Sequence, residues 1–336
     1  GVVEGEATLV HKLYLQECQG SWDCVDTPDN WADTERGGNW GISYMGYQPY
    51  SDGAVWVNSL YESGGWEAVN EAHRSPPTSS EATIHYQNSD EQPVEMAISD
   101  TSREGWAVQS FDGHRAERLG EVSIFTMFFY QHRVNGVDAV IGEFSQQRDG
   151  QFDAVNYSTD AAEGWGNDRL LVYENDDEAG YVWKTVWDTE TDAAEFQEAY
   201  LSLLDAHDAA HPSDSIRVIE NDRFADAFRV VKNGKTVTIV NGPTVDSLDD
   251  IRPRSEDDSG AGPTATATTE DTEQPTTESA ADTTVTEPAE ETTTNDGPVS
   301  TATGGDNGST PGFGLTLAIG AVIAAIGGFA FARRRR

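Results

Sequence analysis

Phe228-Arg-Val-Val-Lys-Asn-Gly-Lys-Thr-Val-Thr-Ile-Val240 reads as a β-hairpin, with Asn233-Gly234 as a favoured type I′ turn. Two further runs, Arg169-Leu-Leu-Val-Tyr173 and Tyr181-Val-Trp-Lys-Thr-Val-Trp187, predict paired antiparallel strands around an acidic turn. Between these pairs, residues 191–207 form an amphipathic helix with Ala194, Phe196, Tyr200 and Leu204 on its inner side. Antiparallel strands with an interposed helix make the second half of the chain a mixture of helix and sheet, and the fold class α+β.

The first half predicts helices. In residues 1–17, Val3, Ala7, Val10 and Tyr14 recur at helical spacing, with Leu13 beside them. Residues 18–43 read as loop. A helix is expected over about 51–62, broken by Ser63-Gly64-Gly65, and another from Trp66 carrying Val69, Asn70 and His73. Thr78 and Glu81 have capping-box spacing at the start of a further helix. Residues 87–118 are polar and unassigned. The run 119–130 is apolar and too short to span a bilayer, so it is expected as a buried helix; 136–144 fits helix or strand.

The 336 residues carry 59 acidic and 21 basic side chains, a net charge of −38. Such a surface repels the phosphate backbone and disfavours a nucleic-acid partner. It keeps a protein soluble where salt screens self-repulsion, because the Debye length is only ~3 Å at 1 M. Residues 252–310 change character: Thr, Glu, Asp, Ala, Pro and Gly dominate and no core can form, which predicts a disordered stalk of the kind that is often O-glycosylated. Residues 1–251 are then an acidic ectodomain, either one domain or a helical 1–90 followed by an α+β 91–251. Asn156-Tyr-Ser158 and Asn307-Gly-Ser309 are N-glycosylation sequons, short enough to arise by chance. Cys18 and Cys24 predict a disulfide closing a small loop around Trp22; the absence of a histidine from the loop disfavours a two-cysteine metal site.

Residues 311–336 read Pro311-Gly312-Phe313, an uncharged run over 313–332, and Arg333 to Arg336. Twenty residues at about 1.5 Å each span roughly 30 Å as a helix, enough for a bilayer core, and the arginines place the C-terminus inside. Motif, span and basic end resemble the PGF-CTERM sorting signal of archaeal surface proteins. The resemblance implies that an archaeosortase removes the span and joins the new C-terminus to a membrane lipid, in the manner of a GPI-type signal. With the acidity it points to a halophilic archaeon, an extracellular location and the cell envelope or S-layer as surroundings.

No His-Glu-x-x-His, Gly-x-Ser-x-Gly, P-loop or dinucleotide fingerprint occurs, so the residues themselves show no complete catalytic set. An ordered series of stretches carries another signal: Val3-Glu4-Gly5-Glu6-Ala7-Thr8-Leu9-Val10, Tyr50-Ser-Asp-Gly53, Gly64-Gly65-Trp66-Glu-Ala-Val69-Asn70, Pro76-Pro77-Thr78-Ser79-Ser80-Glu81, Gly164-Trp165-Gly166-Asn167-Asp168-Arg169, and Trp187-Asp188-Thr189 with Asp192 to Phe196. Over residues 1–200 this resembles a zincin-like metallopeptidase family. In that family a His-Glu-x-x-His helix lies upstream of the Glu-Gly-Glu/Asp-Ala helix. The resemblance implies Zn²⁺ as cofactor and Glu4 as third ligand of a His₂Glu site that keeps a position open for water. The catalytic helix is expected to be encoded upstream of Gly1, or lost in an inactive member. The family's Gln-x-x-x-His-Pro is altered here to Ala82-Thr83-Ile84-His85-Tyr86. Whether the chain serves an enzyme stays open at this point. The alternative is a non-catalytic structural or adhesive surface module.

The remaining candidates have plainer readings. Glu4 alone suits a helix N-terminus, and His11 a surface or packing position. His85 is expected to be structural. His207 and His211 have the spacing of a zinc pair but suit a helix end before Pro212. The glycines of 164–169 are expected to set a turn that buries Trp165, with Asp168 and Arg169 pairing locally, and Trp183 and Trp187 to pack in the sheet.

Overall fold

The computed structural model describes residues 1–25, 40–86, 92–111, 113–137, 152, 155–220 and 224–254. In chain order the elements are α1 (Val2–Ser21), α2 (Trp40–Arg74), α3 (Glu81–Ile84), β1 (Ala107–Val108), α4 (Glu121–Asn135), β2 (Trp165–Asn175), β3 (Glu178–Trp187), α5 (Glu190–Asp205), β4 (Ala210–Ser213), β5 (Ile216–Ile219), β6 (Asp226–Asn233), β7 (Thr236–Gly242) and α6 (Val245–Ile251). The strands form one antiparallel seven-stranded sheet in the order β1-β2-β3-β7-β6-β5-β4. The class is α+β, mainly helical first and mixed afterwards.

The two expected hairpins are the centre of the sheet. In β2–β3, Asn175 pairs with Glu178 and leaves Asp176-Asp177 as the turn. Asp176 takes a φ of 51°, a left-handed conformation that aspartate tolerates better than most residues. In β6–β7, Asn233 is itself a paired residue opposite Thr236, so the turn is Gly234-Lys235 and not Asn233-Gly234. Only Gly234 takes positive φ there, at 56°. Glycine at the first central position does what was expected of the Asn-Gly pair, one residue later. Strand β7 then pairs with β3, joining the hairpins through Trp183↔Ile239 and its neighbours.

Alternation along the strands gives the sheet two buried faces. On the inner face Leu170, Tyr181, Trp183, Trp187, Phe228, Val230, Val237 and Ile239 meet Phe196, Tyr200 and Leu204 of α5 and Ile124, Phe125 and Phe128 of α4. Phe196 organises this layer: Trp187 stacks on it at 4.8 Å and Trp183 meets it edge-on at 5.5 Å. On the outer face Leu171, Tyr173, Val182, Ala227 and Val240 pack beneath Trp106 and beneath Leu248 and Ile251 of α6. Buried Arg229 of β6 reaches Asp249 and accepts its place at the end of α6 by donating to the carbonyls of Leu248 and Arg252. A cation among the orphan carbonyls of a helix C-terminus is favourable.

Helix α5 begins where its sequence dictates. The Thr189 hydroxyl accepts from Asp192 N and the Asp192 carboxylate accepts from Thr189 N, a reciprocal cap. The box expected at Thr78 and Glu81 is not made: the N-cap of α3 is Ser80, without a side-chain cap, and Thr78 Oγ1 faces Gln92 Oε1 at 3.5 Å. The helix lasts four residues.

The N-terminal helices differ from expectation in face and extent. Helix α1 buries Val2, Gly5, Leu9 and Cys18, while Val3 and Val10 are 64% and 47% exposed. The reason is Gly5. A Cβ there would lie 2.9 Å from Val57 Cγ2 and closer still to the Gly53 carbonyl, so α1 approaches α2 along its glycine face. Helix α2 starts before the expected position, contains Pro49, and bends at Gly65, whose φ is 65°. The break expected at 63–65 is thus a kink with helix on both sides. Val69 and Ala72 beyond it pack with Val2, Leu9, Trp56 and Val57. Cys18 and Cys24 are disulfide-bonded with Cα atoms 5.1 Å apart, and Trp22 inside the loop is half exposed.

Among the described residues no helix is long and apolar enough to cross a membrane. Pro311, Gly312, Phe313, the uncharged run 313–332, residues 255–310 of the expected stalk with Asn307, and 138–144 lie outside the described residues.

Candidate functional site

Stretches that the sequence singled out separately meet at one groove. It has a volume of about 440 Å³ and is lined by Glu81, Ala82, His85, Asp160, Glu163, Gly164, Asp188, Thr189, Asp192 and Glu195. Three of the quoted motifs end here: Pro76 to Glu81, Gly164 to Arg169, and Trp187 to Thr189 with Asp192 onward. The sheet brings them together, because Trp165 at the start of β2 pairs with Trp187 at the end of β3. Gly164 has a φ of 73°, and a Cβ on it would lie 2.7 Å from Asp192 Cγ. The glycine therefore lets the 160–164 turn close onto the N-terminus of α5.

His85 is the groove's one imidazole. Its Nε2 lies 2.8 Å from Glu121 Oε1. Glu121, in the first turn of α4, is completely buried, while His85 is about a quarter exposed. The hydrogen bond to Glu121 raises the His85 pKa, and the charges of Glu121, Glu163 and Glu81 add to the rise against partial burial. The pair therefore favours imidazolium beside carboxylate, a donor for the groove and not a free base.

Asp168 sets the position of Glu121. It is fully buried, and its carboxylate accepts from Leu119 N and Gly120 N, each at 2.8 Å, and from Trp183 Nε1 at 3.1 Å. The two amides belong to the turn that starts α4. Complete burial raises the carboxyl's pKa, and these three donors oppose the rise. The expected local pairing of Asp168 with Arg169 is replaced: Arg169 Nη1 donates to Asn167 Oδ1 and to the Asp168 carbonyl. Trp165 is completely buried, as its turn predicted.

Glu4 lies elsewhere, in the first turn of α1. Its Oε2 is 3.1 Å from the Gly1 ammonium. Partial burial works against its ionisation, but its own backbone N–H and the Gly1 ammonium outweigh that and hold the carboxyl below its usual value. Gly5 next to it makes the close approach to Gly53, so the motifs at 3–10 and 50–53 are one helix contact. Glu6 meets His73 at 2.7 Å. As a zinc ligand Glu4 supplies one carboxylate. Among the described residues no three His, Cys, Asp or Glu side chains converge to hold a metal. These residues do not fit a zinc ion by themselves.

The other candidates have ordinary partners. His207 Nε2 is 3.1 Å from Gln131 Oε1 and its ring is 4.4 Å from that of Phe224. His211 sits on β4 and its Nε2 is 2.9 Å from Asp205 Oδ1, which also accepts from Arg217 Nε at 2.7 Å. The helix ends at Asp205, so their i, i+4 spacing does not place the two rings together. His11 is exposed. Trp183 and Trp187 are core residues. Asn156 is half-buried, and its Oδ1 accepts from Ser158 N at 3.2 Å; Tyr157 between them is buried and donates to the Tyr44 carbonyl. Glu121, Asp160 and Glu163 carried no sequence signal of their own, while Glu195 lies in the quoted stretch Asp192 to Phe196.

Residues 108–252 match a family whose description is Domain of unknown function (DUF8575). The match runs from Val108 of β1 to the end of α6 and takes in the sheet, α4 and α5, less than half of the chain. No curated protein and no solved structure matches the chain.

Proposed function

We propose that the chain is an exported, membrane-anchored haloarchaeal surface protein, the C-terminal portion of a zincin-like metallopeptidase homologue. The observation that carries the surface assignment is the order Pro-Gly-Phe, uncharged span, tetra-arginine at 311–336. The disulfide between Cys18 and Cys24 suits an oxidising, extracellular compartment. The excess of 59 acidic over 21 basic side chains suits high salt. The peptidase relationship is supported by the way three stretches of the resemblance line one groove and two others make the α1–α2 glycine contact. In this reading Glu4 is presented by α1, and the two histidines and the general base come from sequence outside residues 1–336. No step through zinc follows from the residues described.

The assignment is tested by producing the protein in a haloarchaeal host and mapping its mature C-terminus by mass spectrometry. Removal of residues beyond the Pro-Gly-Phe region, a lipid on the new end and cleavage by protease added to intact cells are expected. Intact Arg336 in the soluble cell extract refutes it. For the peptidase relationship, purified 1–336 is expected to hold far less than one zinc per chain. Tight stoichiometric zinc in that material contradicts the placement of Glu4 as one ligand of a larger set. The second reading is a non-catalytic structural or adhesive module, and the missing convergence of metal-binding side chains among the described residues suits both readings. The full reading frame decides between them: zinc-dependent peptidase activity abolished by Glu4→Gln supports the first, and zinc-free protein with unchanged surface display supports the second.

A further inference from the structure

The outer face of the sheet is covered by α6 and Trp106 toward one end and half open toward the other. In the half-open part, Arg169 of β2 is the direct partner of Lys184 of β3, and Lys184 is the direct partner of Thr238 of β7. Direct partners share a face, so the three side chains form a row. All three are half-buried. Two arginines extend the row. Arg118 lies beside Arg169; partial burial and then the Arg169 charge lower the pKa of its guanidinium. Arg252 lies beside Lys184; partial burial and then the Arg252 charge lower that of the ammonium.

Such a row is out of keeping with a chain of 59 acidic and 21 basic side chains. Four other arginines of the domain have carboxylates: Arg229 has Asp249, Arg217 has Asp205, Arg103 has Asp250 and Arg115 has Asp100, whereas Lys232 and Lys235 at the β6–β7 turn donate to the carbonyls of Gly234 and Asp188. Arg118, Arg169, Lys184 and Arg252 form no ion pair among the described residues. The arginines donate to neutral oxygens: Arg118 to the Thr78 carbonyl at 3.5 Å, Arg169 to Asn167 and to the Asp168 carbonyl, Arg252 to the Ser99 carbonyl at 3.4 Å. The Lys184 ammonium has no hydrogen-bond partner among the described residues. Asp168 offsets part of the charge of Arg118 and Arg169, but it points to the opposite face, where two amides and an indole hold it. The strand residues that share the outer face with the row (Asn167, Leu171, Val182, Val186, Thr236, Val240 and Val231) include no carboxylate. Like charges directly opposite across a strand pair are unfavourable, and here they are aligned and partly desolvated, with Asp168 on the opposite face offsetting part of the charge.

We propose that the Arg169–Lys184–Thr238 row, flanked by Arg118 and Arg252, binds a tetrahedral oxyanion, a sulfate or phosphate group. Guanidinium forks, an ammonium and a hydroxyl are the donors such a group takes, and a ligand of two negative charges turns mutual repulsion into attraction. The surrounding net negative charge excludes other anionic surfaces and leaves this row as the place where an oxyanion is favoured.

The test uses the full chain in concentrated KCl, titrated by calorimetry with sodium sulfate and separately with sodium phosphate at constant ionic strength. The variants are Lys184→Gln, which breaks no hydrogen bond among the described residues, and Arg74→Gln, an exposed arginine ion-paired with Glu67 and Glu71. Saturable binding of one oxyanion per chain is expected in the wild type and in Arg74→Gln, with about tenfold weaker binding or none in Lys184→Gln. The two titrations show whether sulfate or phosphate is preferred. Lys184→Gln without added oxyanion is also expected to melt at or above the wild-type temperature, because it removes a like-charge contact; a lysine held for structure alone would give a lower melting temperature. Equal responses of wild type and Lys184→Gln, which a general salting effect would produce, or no saturable binding to either anion, overturn the proposal.

Discussion

Asp226 is expected to contribute stability that falls as pH rises through the weakly acidic range. It opens β6 on the inner face of the sheet, near the buried Tyr181–Tyr200 hydroxyl pair, whose oxygens are 2.9 Å apart. Its carboxylate accepts from Asn241 Nδ2 at 3.2 Å. Burial pushes the carboxyl up from 3.8 to about 7, with the Asn241 hydrogen bond opposing. The folded value lies above the unfolded one, so the folded state binds the proton more tightly, and between pH 4 and 7 stability declines with rising pH. A gap of roughly three units at about 1.4 kcal/mol each amounts to ~4 kcal/mol, present below pH 4 and lost by pH 7. For a domain of this size that is a drop in melting temperature of ~8–16 °C. Asp226→Asn keeps the shape, and its amide oxygen can still accept from Asn241. Urea melts of wild type and Asp226→Asn from pH 4 to 8, at fixed high salt, isolate the effect as the difference between the two curves. The variant is expected to lack the decline and to be the more stable protein at pH 8. Parallel curves, within about 0.5 kcal/mol across the range, would show that Asp226 titrates near its ordinary value and refute the reasoning.

Other parts of the molecule can be tested in the same way. Asp168→Ala leaves Leu119 N, Gly120 N and Trp183 Nε1 without their buried acceptor, and a loss of about 3–5 kcal/mol is expected in chemical denaturation, with Asp168→Asn losing less. Gly5→Val drives a side chain into Gly53 and Val57 and is expected to cost about 1–3 kcal/mol, whereas Val3→Ala on the exposed side of the same helix stays within ~0.5 kcal/mol. In Glu121→Gln the hydrogen-bonding anion that raises the His85 pKa is gone, so the NMR titration midpoint of His85 is expected to fall. His85 with its raised folded pKa adds stability that is complete below pH 6.5 and lost as pH climbs through the folded value; that contribution is expected to shrink in the same variant.

The strongest local signals in the sequence were the ones the fold kept. The apolar runs of β2, β3, β6 and β7, the amphipathic α5 and the aromatic α4 could be read because their burial follows a periodicity set by their own backbone. Where a feature depends on a neighbour, the reading slipped. The stripe Val3-Ala7-Val10-Tyr14 has the right spacing for a core face, yet the glycine at position 5 lets α1 sit closer to Gly53 on another side. The turn at 233–235 moved by one residue because pairing with β3 and β5 sets the register of the whole sheet. Strands β4 and β5 and helix α6 are too short to carry a periodicity, and exist because the sheet and Arg229 hold them.

The sequence by itself determined the secondary structure of the central elements, the acidity and the sulfur pair. All of these are properties of residues near one another in the chain. Only the tertiary structure decided which side chains meet: that Asp168 holds the turn of α4 and not Arg169, that His85 is paired with Glu121, 36 positions away, that three separate motifs line one groove, and that Arg169 and Lys184 stand opposite each other. Such meetings follow from strand register and helix approach, which are settled by packing over the whole domain and leave no local mark in the chain.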